Sequence, residues 1–495
     1  MGRLAVLMSG CSVFLVAGWL WVGSISYIGS VTNFTSLSTA HQQPNRYNSV
    51  HDEGRLEGIR GHQALPTDAV KGIKAAKVGL MKDIEVKRRH PMKGITVDRN
   101  NITEIVTLED LQAPEGRLWI PAAILGPVNT GSSEPLYNVL VSYCQLDMKA
   151  YHETPWMFAM GTFHQRQSGC HDDKSLVRTY RLSALKELVD ANPDAFLDPS
   201  GFVYHETRCG STLSANMMAA VPTNIVHSET PPPISAISVC LGRCSDELKG
   251  IVIRTVFRLM GPAQQGHTNT FFKFQSSKFV TEIEKAWPGV PWIYLFRDPL
   301  EVMASNLKGA WRKAAPTPTG NDAVPPAGVY NMGGPCVRGV AKPIGGSKAR
   351  KPPRPEELVN GCAKQLESLN QVALDQIRGG SPNGLVVEYR QLPEVMTEYV
   401  YPVHFGMASS EEGKEEYKRW MEPVTHVYSK GMATAKDGAV SKEYEQGMDL
   451  EVKEVGSDAA MRIAARQMCD NYRTLVRMQK WHKDEEGITM GTCSR

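Results

Sequence analysis

The sequence predicts an α/β protein in which residues 196–495 form a parallel sheet flanked by helices. Four short segments have the length and apolar composition of buried strands: 201–205, 271–274, 292–296 and 385–388. Helical patterns lie between them, such as the apolar stripe of Phe279, Ile283 and Trp287. Alternating strands and helices are typical of a parallel sheet, because each connection crosses back over the sheet before the next strand begins.

The composition is that of a globular protein, and it argues against a nucleic-acid partner. The chain has 495 residues, of which 42% are apolar and 22% are charged, which is enough for one large domain with extensions. Its net charge of +3 is too small to indicate the basic surface that binds a nucleic-acid backbone. We therefore expect no nucleic-acid partner.

The N-terminal segment predicts a membrane anchor. The run from Leu4 to Val31 contains no charged residue and exceeds the roughly 20 residues that cross a bilayer. We interpret residues 1–31 as a cytosolic tip and a transmembrane signal-anchor, which predicts a single-pass type II membrane protein with a lumenal domain. The alternative is a cleaved signal peptide, which would make the protein secreted, although the apolar core of such peptides is usually about 7–15 residues long.

Two segments separate this anchor from the predicted parallel sheet. Residues 32–75 are rich in Ser, Thr, Asn, Gln and Gly, a composition typical of a flexible stem. Residues 76–195 are predicted to form a mixed α/β extension of unknown role, with strands over 118–125 and 137–143 and a helix over 176–189. We find no motif with evident chemistry in this extension.

An insertion at about 315–355 interrupts the predicted parallel sheet. It is rich in Pro, Gly and basic residues, which favours a solvated insertion. The alternative is a basic flap that attracts an anionic acceptor. The last helix is predicted over about 458–483.

Sequons and cysteines agree with a lumenal location. Asn33 and Asn101 each begin an Asn-x-Thr sequence, which is the acceptor for N-glycosylation. The chain has ten cysteines, of which Cys11 lies in the predicted anchor, and some of the others are expected to pair in an oxidising lumen. Nine cysteines lie outside the predicted anchor, and this odd number leaves at least one thiol unpaired. Cys240 and Cys244 are more typical of a disulfide or of buried thiols than of a metal site, since no second pair at matching spacing accompanies them.

The first candidate anion-binding segment spans 205–213, with the sequence His-Glu-Thr-Arg-Cys-Gly-Ser-Thr-Leu. It follows a predicted strand and opens a predicted helix, so the loop amides and the helix N-terminus would present donors to an anion. Gly210 allows a close backbone approach, and Arg208 adds a guanidinium fork. The candidate binding residues are Arg208, Cys209, Gly210, Ser211, Thr212 and Leu213.

The second candidate segment begins at Arg297, directly after a predicted buried strand. Asp298 is predicted as the N-cap of the following helix, Pro299 as its first residue and Glu301 as the capping-box partner. Ser305 lies about two turns along that helix. Arg297 thus leaves the carboxyl end of a strand, which is where ligands of open α/β sheets bind.

The two segments together resemble the P-loop sulfotransferase family, over about residues 200–480. The resemblance implies a P-loop-type sheet and the donor 3′-phosphoadenosine 5′-phosphosulfate. It implies that 208–213 is the 5′-phosphosulfate loop and that Arg297 and Ser305 hold the 3′-phosphate. The Tyr-x-x-Leu sequence at 389–392 is similar to the one that follows a later strand of the family.

The resemblance favours the membrane-bound branch of that family. The cytosolic members carry Lys where this chain has Arg208, whereas the protein-tyrosine and carbohydrate enzymes often carry Arg. It thereby implies a Golgi membrane enzyme with a lumenal catalytic domain. Sulfonate carries less negative charge than a phosphate monoester, so no metal is required, and we predict no metal site.

Catalytic roles are predicted for Arg208, Glu229 and Lys273. Arg208 would stabilise the leaving phosphate. Glu229 resembles the general base of tyrosylprotein sulfotransferases, and Lys273 lies where the family often places catalytic or donor-contacting residues. His205 is a weaker candidate, and His227 is expected on the opposite face of its strand.

The residues leave alternatives open. A nucleotide kinase or hydrolase on a related fold is disfavoured, because His205 and Ser211 stand where its Gly-x-x-x-x-Gly-Lys motif requires Gly and Lys. A non-catalytic lumenal binding protein would keep the fold without the chemistry. The acceptor, a hydroxyl or amine on a glycan, a protein tyrosine or a metabolite, is not encoded in any readable motif.

Overall fold

A computed structural model describes the protein at residues 102–155, 170, 173–240, 244–314, 336, 355–427, 459–481 and 493. The predicted anchor, the predicted stem, the asparagines of both sequons and nearly all of the predicted insertion lie outside these residues. Within the described ranges, no helix combines the length and the apolar character needed to cross a membrane.

The N-terminal part of the described chain contains a three-stranded antiparallel sheet. Its strands are β1 (Arg117–Leu125), β2 (Leu140–Asp147) and β3 (Val177–Arg181), in the order β1-β2-β3. Three helices belong to this part: α1 (Leu108–Leu111), α2 (Met148–Glu153) and α3 (Leu182–Ala191).

The helix predicted over 176–189 is therefore wrong in its first half. Residues Val177–Arg181 form β3, and only the remainder is helical, in α3. The segment Val-Arg-Thr-Tyr-Arg contains two β-branched residues and an aromatic one, which favour a strand where a partner is available. That partner is β2, so a long-range pairing decided between two local patterns.

The second sheet is parallel, as the sequence predicts, but it has five strands instead of the four predicted, the additional one being Asn224–Ser228. The five strands are β4 (Pro199–His205), β5 (Asn224–Ser228), β6 (Asn269–Phe274), β7 (Trp292–Phe296) and β8 (Gly384–Glu388). Their order across the sheet is β5-β6-β4-β7-β8. Strand β4 thus lies in the middle, and the chain passes from it to one edge of the sheet before it returns to build the other.

Helices connect and flank these strands. Between β4 and β8 the helices are α4 (Ser211–Ala219), α5 (Pro231–Ser238), α6 (Asp246–Leu259), α7 (Val280–Ala286), α8 (Pro299–Ala314) and α9 (Pro355–Arg378). After β8 come a 3₁₀ turn (Tyr389–Gln391), a π-helical segment (Met396–His404), α10 (Glu411–Thr425), α11 (Ala459–Arg466) and α12 (Cys469–Arg477).

The single helix predicted over 458–483 is in fact two helices. The break falls between α11 and α12, at Gln467 and Met468. The two helices bury side chains in different hydrophobic clusters: Met461 and Ala465 pack with α8 and α9, whereas Tyr472 packs in the cluster of the parallel sheet. One straight helix would not reach both.

Each face of the parallel sheet is covered by its own hydrophobic cluster. Phe202 and Tyr204 of β4 point into one cluster, and Val203 between them points into the other, as the alternation of a strand requires. This double burial explains why the strands read as continuous apolar runs. The antiparallel sheet contributes to both clusters, for example through Trp119 and Ile120. The predicted division at 195/196 therefore separates two sheets that share their core.

Four disulfides link cysteines of the described chain: Cys144–Cys170, Cys240–Cys244, Cys336–Cys362 and Cys469–Cys493. Pairing of Cys240 with Cys244 agrees with the disulfide interpretation of that spacing. The remaining described cysteine is Cys209, a buried free thiol.

Candidate functional site

The order of the strands places the candidate site at the carboxyl end of β4. On one side of β4 lies β6, and on the other lies β7. The chain leaves β4 towards the β6 side, whereas the segment after β7 begins on the opposite side. Loops diverge at such a point and leave a crevice, which is where open α/β sheets bind ligands. Both sequence-predicted anion-binding segments begin here.

The loop after β4 has an unusual backbone. Thr207, Arg208 and Gly210 have φ values of 145°, 53° and 82°, all in the region that favours glycine. Gly210 is also the N-cap of α4. A Cβ at Gly210 would lie 2.5 Å from Leu392 Cδ1 and 2.8 Å from Tyr389 Cδ2. Glycine is therefore required here both by the conformation and by the packing of the turn after β8.

The predicted binding residues of this loop differ in exposure. Arg208, Gly210 and Thr212 are partly exposed, and Ser211 is buried. Cys209 is fully buried, and burial raises the pKa of its thiol to about 12. The Cys209 thiol is thus held neutral and contributes packing, while its neighbours remain accessible.

The two predicted segments touch each other. The backbone N–H of Arg297 donates to Glu206 Oε1 at 2.8 Å, and Arg297 Nη1 donates to the carbonyl oxygen of Arg208 at 3.4 Å. Arg297 and Arg208 are separated by 89 positions in the sequence. The parallel register of β4 and β7, which pairs His205 with Leu295, brings the two segments side by side.

The side chain of Arg297 is held in place from two directions. Its guanidinium stacks on the ring of Tyr389 at 3.8 Å, and its Nε donates to Glu301 Oε2 at 2.5 Å. The other oxygen of Glu301 accepts from Arg390 Nη2 at 3.0 Å. One buried carboxylate is thus shared by two guanidinium groups, and Tyr389 stacks against one of them, that of Arg297.

The predicted N-cap of α8 is confirmed, and Glu301 also has two charged partners that the sequence did not predict. Asp298 Oδ1 accepts the backbone N–H groups of Leu300 at 2.9 Å and of Glu301 at 3.3 Å. The Glu301 carboxylate pairs with the guanidinium groups of Arg297 and Arg390, and such charge-assisted hydrogen bonds are stronger than those to a backbone N–H. Ser305 lies further along α8, and its side chain is half-buried.

The predicted catalytic residues Glu229 and Lys273 form an ion pair at the neighbouring strand ends. Lys273 Nζ lies 2.7 Å from Glu229 Oε1 and also donates to Ser228 Oγ at 3.1 Å. His205 Nε2 donates to the same Glu229 oxygen at 3.2 Å. Glu229 itself has a φ of 54°, which turns the chain sharply at the end of β5.

This arrangement keeps Glu229 ionised. Burial alone would raise the pKa of the Glu229 carboxyl, but the Lys273 ammonium and the His205 hydrogen bond outweigh burial and hold the pKa well below its usual range. The Glu229 side chain remains 16% exposed, whereas that of Lys273 is fully buried. Of these two side chains, Glu229 is therefore the one that a bound molecule can reach, and the buried Lys273 fixes its position through the ion pair.

Sequence reasoning did not predict two buried carboxyls next to these residues. Burial raises the pKa of Glu206 to about 8, against the lowering effect of the Arg297 N–H. Burial likewise raises the pKa of Glu388 to about 7, although the N–H and charge of Arg390 oppose this. Each is a carboxyl at or just beyond the end of an apolar strand, which is the signal that could have identified it.

The remaining histidine of this region points elsewhere. His227 Nε2 binds the carbonyl oxygen of Met260 at 2.7 Å, and its ring stacks on Phe272. It therefore faces away from Glu229, although two residues two positions apart on a strand would share a face. The reason is that Glu229 lies just beyond the end of β5, where its φ of 54° turns the chain. Across the described ranges, no group of three or more His, Cys, Asp or Glu side chains is arranged to hold a metal ion.

No protein-family model matches this sequence, and no curated protein matches it.

Proposed function

We propose that this chain is a sulfotransferase that moves a sulfonate from 3′-phosphoadenosine 5′-phosphosulfate to a hydroxyl or amine acceptor. The observation that carries the proposal is the contact between Arg297 Nη1 and the Arg208 carbonyl, at the divergence point of the parallel sheet. A donor with phosphates at both ends of one nucleoside requires two anion pockets within the reach of a single adenosine. Two adjacent loops that each carry an arginine support the presence of two such pockets.

In this proposal the donor lies across the two segments. Arg208, the amides of 209–213 and the hydroxyls of Ser211 and Thr212 would bind the 5′-phosphosulfate at the N-terminus of α4. Arg297 and Ser305 would bind the 3′-phosphate. Two guanidinium groups, of Arg297 and Arg390, meet at Glu301, and guanidinium groups bind phosphate oxygens through charge-assisted hydrogen bonds.

The chemical step is a substitution at sulfur. The acceptor oxygen or nitrogen attacks the sulfur, the bond from sulfur to the 5′-phosphate oxygen breaks, and adenosine 3′,5′-bisphosphate leaves. Arg208 and the loop amides would stabilise the charge that develops on the leaving phosphate. Glu229, kept ionised by Lys273 and His205, would accept the proton of the acceptor. Positioning and charge account for the catalysis, as in phosphoryl transfer.

The location belongs to the same proposal. Four disulfides in the described chain are typical of proteins that fold in an oxidising compartment. Together with the apolar run at 4–31, they support a Golgi membrane protein of type II whose catalytic domain lies in the lumen. The acceptor would then be a glycan, a protein or a metabolite of the secretory pathway.

Donor binding can be tested without knowledge of the acceptor. We expect adenosine 3′,5′-bisphosphate to raise the melting temperature of the purified full chain in the presence of a chelator, and ATP with Mg²⁺ to have a smaller effect. A larger stabilisation by ATP with Mg²⁺ would instead indicate a nucleotide kinase or hydrolase. No shift with either nucleotide would indicate a binding protein that does not use this donor.

Activity is then tested with radiolabelled donor and a mixture of secretory-pathway acceptors. Arg208→Ala and Arg297→Ala are each expected to lower the rate of sulfonate transfer by about 100-fold to 1000-fold. This is the loss typical when one preorganised hydrogen-bond donor is removed from an active site. Arg258→Ala is the control, since Arg258 pairs with Asp198 on the surface at the other end of the sheet. Wild-type transfer by either of the first two variants would refute the proposal.

A further inference from the structure

Two histidines face each other at the amino end of the parallel sheet, away from the candidate active site. His152 lies on α2, in the N-terminal part of the chain, and His267 lies in the loop between α6 and β6. Their Nε2 atoms are 3.4 Å apart. The rings are inclined by 20° with centroids 5.7 Å apart, so the two nitrogens lie between the rings.

The other nitrogen of each ring binds a backbone carbonyl. His152 Nδ1 lies 2.9 Å from the carbonyl oxygen of Ala219, and His267 Nδ1 lies 2.7 Å from that of Gln264. A carbonyl only accepts, so each Nδ1 must carry the hydrogen. In the neutral tautomer that follows, both Nε2 atoms present lone pairs to each other. Such a pair is stable only with a shared proton or a cation between the nitrogens.

We propose that His152 and His267 form a binding site for a divalent transition-metal ion. Imidazole nitrogen is a preferred ligand of Zn²⁺, Ni²⁺ and Cu²⁺. Two nitrogens at the usual zinc distance of about 2.0–2.1 Å, in a tetrahedral arrangement, are about 3.3–3.4 Å apart, which is the separation of the two Nε2 atoms. A second nitrogen that donates to a backbone carbonyl is also the usual orientation of a metal-bound histidine.

The surroundings define what the ion would do. Ala219 ends helix α4, and His267 precedes β6, so both belong to the parallel-sheet region, whereas His152 belongs to the antiparallel-sheet region. The ion would therefore join the two regions across their shared core. His267 is buried, and His152 is partly exposed, so solvent reaches one member of the pair and water would supply the remaining ligands. The role is structural and independent of the proposed sulfonate transfer.

The test is the response of the purified full chain to each metal ion alone, after treatment with a chelator that is then removed. We expect Zn²⁺ and Ni²⁺ to raise the melting temperature, and Mg²⁺ and Ca²⁺ to have no effect, because these hard ions prefer oxygen ligands. His152→Gln and His267→Gln should each weaken Zn²⁺ binding by at least about tenfold. His404→Gln is the matched control, since His404 Nε2 binds the Trp292 carbonyl.

A second measurement does not depend on the folding of any variant. Electron paramagnetic resonance of Cu²⁺ added to the wild-type chain should show two coordinated imidazole nitrogens. A Cu²⁺ signal without two imidazoles, or no response of the melting temperature to Zn²⁺ and Ni²⁺, would overturn the proposal and leave a shared proton between the rings. Equal Zn²⁺ affinity in the wild type and in both histidine variants would overturn it as well.

Discussion

The two ends of the parallel sheet are both lined with polar side chains, but they satisfy those groups in different ways. At the carboxyl end, buried or nearly buried ions pair with one another, as in Lys273 with Glu229 and Arg297 with Glu301. At the amino end, neutral groups are hydrogen-bonded. Asn224 Nδ2 donates to Tyr401 Oη at 2.8 Å and to the Met218 carbonyl at 2.9 Å.

The difference between the two ends concerns the desolvation cost of buried ions. A buried ion pair loses much of its solvation and is often no more stabilising than apolar packing, whereas a satisfied neutral hydrogen bond is retained at little cost. Charges collected at the carboxyl end are therefore better explained by a ligand than by stability. The amino end lacks such pairs among the described residues.

The largest expected effect follows from the loss of Lys273. Lys273→Met should lower the free energy of unfolding by about 3–5 kcal/mol, because it leaves the Glu229 carboxylate without its closest cation in a buried setting. Tyr401→Phe, the control at the amino end, should cost about 1–2 kcal/mol. Urea unfolding measures both. Equal losses of unfolding free energy in the two variants would show that the two ends of the sheet do not differ in this way.

The same ion pair can be tested by a double substitution. Lys273→Met combined with Glu229→Gln should be less destabilised than the sum of the two single variants, because the second change removes the charge that the first one leaves unpaired. If the losses in the free energy of unfolding were simply additive, Lys273 and Glu229 would have no specific interaction.

The next effect concerns two glycines with the same backbone conformation. Gly210 and Gly266 both have a φ of 82°, but a Cβ would collide with Leu392 and Tyr389 at Gly210 and would meet open space at Gly266. Gly210→Ala should therefore cost roughly 2–3 kcal/mol, and Gly266→Ala only about 1–2 kcal/mol from the left-handed conformation. Gly210→Ala should also weaken the binding of adenosine 3′,5′-bisphosphate. Equal unfolding free energies for the two variants would contradict the proposed packing at Gly210.

The mildest substitution is Glu206→Gln, which keeps the shape of the side chain and the acceptor for the Arg297 N–H. The pKa of Glu206 is about 8 in the folded chain, against 4.5 when unfolded, so the folded state holds the proton more tightly. The protonated Glu206 carboxyl therefore adds to the free energy of unfolding. This addition is complete below about pH 4.5 and is lost as the pH rises towards 8. The decline in stability over this range should therefore be smaller in the variant.

The control for this pH dependence is Glu187→Gln, at an exposed position on α3. Its unfolding free energy should change with pH as that of the wild type does. Glu388, whose pKa is about 7, acts in the same direction as Glu206 and remains in both variants, so some decline persists. If Glu206→Gln matched the wild type at every pH, the buried carboxyl would not be protonated in the folded chain.

Local patterns predicted much of the fold and part of the site. The strand at 292–296 was predicted to the residue, because five consecutive apolar residues can be buried on both faces. The cap at Asp298 was also predicted, since it depends only on the next few residues. The strand Val177–Arg181 was missed because its identity depends on pairing with β2, which no local pattern contains.

The partners of the charged residues could not be predicted for the same reason. Glu301 was predicted as a capping-box partner, and no local pattern indicates its hydrogen bond with Arg390, which lies 89 positions away. The pair of His152 and His267 is separated by 115 positions and belongs to two different regions. Interactions across such distances depend on the order of the strands.

The sequence by itself determined the buried strands at 201–205, 271–274, 292–296 and 385–388, the cap at Asp298 and the loops that carry arginine and glycine. These features depend on burial periodicity, capping and backbone conformation within a few residues. Only the tertiary structure decided that Arg208 and Arg297 lie side by side, that Lys273 holds Glu229 and that two histidines meet at the opposite end. The physical reason is that a buried charge or lone pair takes the nearest partner in space, and strand order decides which partner is near.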